Sequence, residues 1–113
     1  VVEVRPKRAF YDYKAKYTKG MTDYIVPARV PARVASKVRS LALRVYRGLG
    51  LSGFARVDFM LDQKHRPFVL EVNSIPGLTE FSLLPKAARA VGISFEELCL
   101  RVLRDALRRK KGR

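Results

Sequence analysis

Arg56, Asp58, Glu71 and Asn73 are the residues of this 113-residue chain whose types and spacing could do chemistry. Arg56 and Asp58 sit in the run GFARVDFML, and Glu71 and Asn73 in FVLEVNSIPG. Both runs are otherwise apolar and read as strands over 54–62 and 67–73, joined by the polar turn Gln63-Lys64-His65-Arg66. Side chains alternate between the faces of a strand, so Arg56 and Asp58 share one face, and Glu71 and Asn73 share one. A four-residue loop is a common hairpin length. It pairs Asp62 with Pro67, sets Asp58 directly across from Glu71 and Arg56 across from Asn73, and puts all four on one face. Two carboxylates so placed repel each other. Either Arg56 offsets them in an arginine–carboxylate network on a solvated sheet face, or a divalent cation does. Oxygen donors without His or Cys suit magnesium rather than zinc. Two carboxylates and one amide cannot fill an octahedron, so water and phosphate oxygens would complete it. The spacing leaves both readings open.

Ser74-Ile75-Pro76-Gly77 turns the chain immediately beyond these groups. Proline fixes φ and glycine lets backbone approach a ligand closely. A peptide N–H at Gly77 could face a developing negative oxygen, although an ordinary proline–glycine turn would carry the same residues.

The elements that must hold this face follow from periodicity. Over 31–50, Val34, Val38, Leu41, Val45 and Leu49 recur at three-to-four spacing between basic residues, with proline near the start and glycine at the end, which predicts an amphipathic helix. A shorter helical pattern runs through Leu84, Ala87, Ala88 and Val91 to Gly92. Ser94-Phe95-Glu96-Glu97 forms a capping box in which Ser94 accepts from the Glu97 backbone while Glu97 reaches back. It opens a last helix carrying Leu98, Val102, Leu103, Ala106 and Leu107. The opening VVEVRP alternates and ends at a proline, as a sheet edge does. From Pro6 to Tyr24 no helical or strand period holds, and aromatics and lysines alternate irregularly through FYDYKAKYTKG. Loops of that length in compact domains are usually functional or disordered.

Length allows one domain, and 48% hydrophobic residues allow a core. The chain opens on Val1 with a strand-like segment under way, shows no signal peptide, and is expected to be a piece of a longer protein. No apolar run reaches the ~18 residues of a membrane helix. A single cysteine, Cys99, excludes an internal disulfide, agrees with a reducing cytosol and is expected in the core. His65, the only histidine, belongs to a turn. The net charge of +14, from 24 Lys+Arg against 10 Asp+Glu, could attract nucleic acid, an anionic membrane or a phosphate-rich ligand. It could equally be a solvated basic face. Much of it lies in the helices and in the RRKKGR tail, expected to be frayed and exposed.

GFARVDFML, FVLEVNSIPGLTEFSLLPKAA and FYDYKAKYTKG, in the order loop, helix, hairpin, loop, helices, resemble the C-terminal part of the D-alanine–D-alanine ligase family of ATP-grasp enzymes. The resemblance covers nearly the whole chain, and EVNSIPGLT is its most specific run. It implies an α/β (α+β) fold, the C-terminal portion of an ATP-grasp domain over 1–113, with an antiparallel β-hairpin sheet packed by about three helices and a mobile active-site loop over 7–24. The N-terminal domain and the first part of the ATP-grasp domain would be missing, and this piece alone would be inactive. The implied activity joins two D-alanines for peptidoglycan, in the cytoplasm: ATP phosphorylates the first carboxylate, and the second amine attacks the acyl phosphate.

On the same resemblance Asp58 and Glu71 would bind one magnesium and Glu71 with Asn73 a second, with manganese able to replace them. Arg56 would sit over the acyl phosphate and the Gly77 N–H would complete the oxyanion site. Ser82 and Leu83 would contact the second D-alanine, Lys16 the ATP phosphates, and Tyr17 would help close the site. Ala15-Lys16-Tyr17 favours the dipeptide over the D-lactate product of related ligases. The partners implied are ATP, D-alanine, the missing N-terminal part and a second subunit of a homodimer, with neither nucleic acid nor membrane. Glu80 and Phe81 depart from the family pattern, which carries small or polar residues there, and the basic charge is greater than the family's. The alternatives are another ATP-grasp ligase, such as one forming D-alanyl-D-lactate, and a basic nucleic-acid-binding module. The latter lacks a glycine–aromatic RNA-binding signature or a helix-turn-helix pattern.

Overall fold

In the computed structural model, which describes residues 1–7 and 20–112, the order is β1 (Glu3–Pro6), β2 (Thr22–Ile25), α1 (Ala32–Gly48), β3 (Arg56–Leu61), β4 (Pro67–Asn73), α2 (Leu83–Arg89) and α3 (Phe95–Lys111). Two antiparallel two-stranded sheets result, β1–β2 and β3–β4. This is the α+β class that the sequence predicts, three helices with the expected hairpin and a second two-stranded sheet beside it. No helix among the described residues is long and apolar enough to cross a membrane.

The edge strand expected from VVEVRP is β1, and its partner β2 is the element that periodicity missed. Four residues are too few for an alternation to register. Beyond the ladder, Lys7 N donates to Met21 O at 2.8 Å. Glu3 is tied down by the Arg29 N–H at 2.9 Å and by Arg5 Nε. The Val26–Pro27 peptide is cis.

Pro31 stands at the N-cap of α1, where its missing N–H leaves no bond unmade. Val34 and Val38 bury the helix's apolar stripe, as their spacing requires, whereas Leu49 lies past the helix end and is exposed. Val91 is likewise exposed beyond α2. Ala88 and Leu98 complete the buried aliphatic core, beside Pro76 and Pro85. Cys99 is only half-buried, because Leu98 takes the inward position beside it.

Ser94 Oγ accepts from Glu97 N at 3.2 Å, the expected cap. The reciprocal arm of the box is replaced: the Glu97 carboxylate turns along the helix to Arg101 Nε at 2.9 Å. Glu96 and Glu97 at its start and Arg108 to Lys111 at its end complement the dipole of α3. Instead of fraying at RRKK, α3 runs to Lys111, and Arg109 reaches back to Ser52.

Candidate functional site

The β3–β4 ladder pairs Arg56 with Asn73, Val57 with Val72 and Asp58 with Glu71. The carboxylates face each other as predicted, yet the hairpin arrives there by another route. Leu61, not Asp62, pairs with Pro67, and the register shifts between Asp58 and Phe59, leaving Leu70 as an unpaired bulge residue. The turn is one residue longer than expected and the bulge restores the parity. Asp62 builds that turn: its Oδ1 accepts from the N–H groups of Lys64 and Arg66 at 2.9 and 2.8 Å, and its Oδ2 from Arg66 Nε at 2.5 Å. The Arg66 backbone N–H above all draws the Asp62 carboxyl below its ordinary value, with the Arg66 side chain and Lys64 N–H adding to the effect. His65 takes the left-handed conformation, φ 57°, at the tip.

Arg56 supplies the positive charge that the facing carboxylates need. Its Nε and Nη2 donate to the two oxygens of Asp58 at 2.6 and 3.0 Å, and Nη2 lies 3.8 Å from Glu71 Oε1. The bidentate fork is the strong form of this interaction. The Asp58 side chain is 28% exposed and that of Glu71 60% exposed, so Glu71 is the more open of the two to a ligand from solvent.

Asn73 Oδ1 accepts from Ile75 N at 3.0 Å and bends the chain into the following turn. An amide oxygen has a second lone pair, so this bond leaves Asn73 able to coordinate. No three His, Cys, Asp or Glu side chains gather as a metal cluster among the described residues. The set Asp58, Glu71 and Asn73 is two carboxylates and one amide, all oxygen donors on one face. That chemistry fits magnesium with coordination left over, once the Arg56 fork turns aside.

Pro76 is buried, which anchors the turn beyond Asn73. Gly77 lies against Ser82: a β-carbon there would come within 2.8 Å of Ser82 Oγ. The same hydroxyl accepts from Thr79 N at 3.0 Å and shares a hydrogen bond with Thr79 Oγ1 at 2.8 Å. Ser82 therefore stands at the N-cap of α2 with no side-chain bond into it, its backbone carbonyl accepting from Lys86 N at 3.2 Å, and Leu83, half-buried, is the first helical residue. Thr79 is a partner that the sequence did not single out; the T-x-x-S spacing ahead of a helix was its signal. Ile75 and Phe81 flank this turn at 85% and 80% exposure. Behind it, Lys86 Nζ stands 5.4 Å from the Tyr24 ring centre, linking α2 to β2.

Arg56, Asp58, Glu71 and Asn73 are thus brought together on one sheet face, and Gly77 with Ser82 and Leu83 in the following turn. Lys16 and Tyr17 lie outside the described residues. The surface dip lined by Glu97, Arg101, Arg104, Asp105 and Arg108 is on α3 and includes none of them.

Residues 1–104 match the family described as "D-ala D-ala ligase C-terminus". Among curated proteins, the chain is 49% identical over 112 residues to the D-alanine–D-alanine ligase of Alkalilimnicola ehrlichii, covering 99% of this chain and 36% of that protein. It is 50% identical over 105 residues to that of Anaeromyxobacter sp., covering 93% and 34%. The chain spans about a third of the length of these relatives. Among solved structures, it superimposes on D-alanine–D-alanine ligase from Bacillus anthracis complexed with ATP, with a TM-score of 0.79 and 38% identity, over 98% of this chain and 36% of that one. The match runs from β1 through the hairpin and well into α3, and on that extent the chain belongs to the D-ala D-ala ligase C-terminus family.

Proposed function

We propose that this chain is the catalytic C-terminal part of an ATP-dependent D-alanine–D-alanine ligase. The observation that carries the reading is the Asp58–Glu71 pair, directly opposed across the hairpin with Arg56 forked onto it. Opposed carboxylates destabilise a hairpin, and such a cost is kept where charge is needed for chemistry.

In this reading Asp58 and Glu71 would hold one magnesium, and Glu71 with Asn73 a second. Bound there, magnesium would neutralise the nucleotide's phosphates and orient them for transfer. Arg56, drawn from Asp58, lies over the phosphoryl group passed to the first D-alanine and balances the charge that builds as the second amine attacks. The Gly77 N–H donates to the oxyanion. Ser82 and Leu83 line the place of the second D-alanine, Lys16 reaches the ATP phosphates, and Tyr17 helps the 7–24 loop cover the site and exclude water. The product serves peptidoglycan synthesis in the cytoplasm, and the complete ligase is a homodimer. Exposed Met60, Phe68 and Leu70 beside the carboxylates support a chain that works against further protein.

The test is phosphate release by the complete ligase with ATP, magnesium and D-alanine, and by this 113-residue chain alone. The complete enzyme should turn over and the isolated chain should not. A preference for D-lactate as acceptor would transfer the protein to the ester-forming ligases. Salt-sensitive nucleic-acid binding that survives Asp58→Asn and Glu71→Gln, without ligase activity, would favour a basic binding module instead.

A further inference from the structure

We propose that Arg109 is a positioning residue for Arg56, acting through the turn at Ser52-Gly53; the inference rests on the ligase reading above. Arg109 lies beyond residue 104, where the family match stops. Its guanidinium is held by Asp105, with Nε 3.0 Å from Oδ2, and its Nη1 donates to Ser52 Oγ at 2.8 Å. It also lies directly against Gly53. A β-carbon on Gly53 would approach Arg109 Nη2 to 2.9 Å, and the residue's φ of +76° already suits glycine alone. From the other side, Tyr46 on α1 donates its hydroxyl to Gly53 O at 2.7 Å. The turn is therefore gripped between two helices.

Gly53 is three residues before Arg56, the first residue of β3 and the one that bridges Asp58 toward Glu71. So little chain cannot absorb a shift of the turn, since each residue spans at most about 3.6 Å. A displacement of about 1 Å at a reacting group can lower a rate by about 100-fold. The clamp itself is half exposed and should add little to stability. Its effect belongs in the geometry of transfer.

The experiment uses the complete ligase and four variants: Arg109→Ala, Arg109→Lys, Ser52→Ala and Tyr46→Phe. Turnover is measured with saturating ATP, magnesium and D-alanine well below the melting temperature. Arg109→Ala should lower kcat about tenfold, leave both KM values within about twofold, and shift Tm by no more than about 2 °C. Arg109→Lys should recover part of the loss, because an ammonium can still reach Ser52 but cannot lie flat on Gly53. Tyr46→Phe should also lower kcat without raising KM. Unchanged kcat in Arg109→Ala would overturn the proposal, as would a loss that vanishes on cooling together with a large fall in Tm. Should Arg109→Ala not fold, Ser52→Ala removes only the hydroxyl and decides the same question by its kcat. An unsubstituted enzyme without D-alanine-dependent phosphate release would sink the ligase reading first, a result distinct from silent Arg109 variants in an active enzyme.

Discussion

Ser82 Oγ occupies the space beside Gly77, 2.8 Å from where a β-carbon would stand. A side chain at 77 would displace that hydroxyl. Gly77→Ala must push Ser82 away from Thr79, breaking two hydrogen bonds in the turn that enters α2. In the complete ligase it should raise the KM for the second D-alanine about tenfold or more, which acceptor-dependent kinetics would read. Ser82→Ala makes room, so the double variant should lie much nearer Ser82→Ala than the sum of the singles. Additive effects would show that the two residues act independently.

Glu71 is the carboxylate shared by both proposed ion sites and the more open member of the facing pair. Glu71→Gln should lower kcat on the order of 100-fold or more at saturating magnesium, since phosphate charge stabilisation by an ion is worth several kcal/mol. Near-normal turnover would remove Glu71 from the mechanism.

A divalent cation at the proposed site would compete with Arg56 for the Asp58 oxygens, because the guanidinium fork occupies both of them. Arg56→Gln should therefore bind Mn²⁺ more tightly in the absence of nucleotide, by roughly tenfold given close charge repulsion at partial exposure, while losing ligase turnover. Spectroscopic Mn²⁺ titration measures the first effect independently of the second. Weaker metal binding by the variant would mean that Arg56 helps the site assemble rather than guarding it.

The hairpin tip is acid-sensitive in a defined direction. Asp62 has its carboxyl drawn below the ordinary aspartate value of 3.8, first by the Arg66 backbone N–H. A depressed folded-state value stabilises the fold above the ordinary value, and that contribution is lost as pH falls through the folded one. Asp62→Asn should therefore melt below the wild type at neutral pH and converge with it in acid. Parallel melting curves at both pH values would contradict this.

The facing of Asp58 and Glu71 was legible because alternation in two short strands is a strong constraint, though part of the path to it was hidden. The four-residue turn and the unbroken ladder were each off by one residue, in compensating directions. No glycine in Val69-Leu70-Glu71 marks a bulge. The turn did carry a signal, an aspartate two and four residues before the N–H groups that it accepts from. The helices over α1 and α3 followed from their apolar spacing, whereas β2 was too short to show one. Arg109 reaches Ser52 across 57 residues, and no local pattern announces a contact at that separation. Its apparent membership in a basic tail concealed it.

The bulge at Leu70 splits the hairpin into two segments that need not change together. Distal to it, Asp62 and its neighbours form a tip that could be rebuilt, lengthened or tagged. Proximal to it, Arg56, Asp58, Glu71 and Asn73 keep their mutual phase through their own rungs. A graft at residues 63–65 should leave the acidic pair aligned, and deleting Leu70 alone should give an unbroken ladder in which Asp58 still faces Glu71.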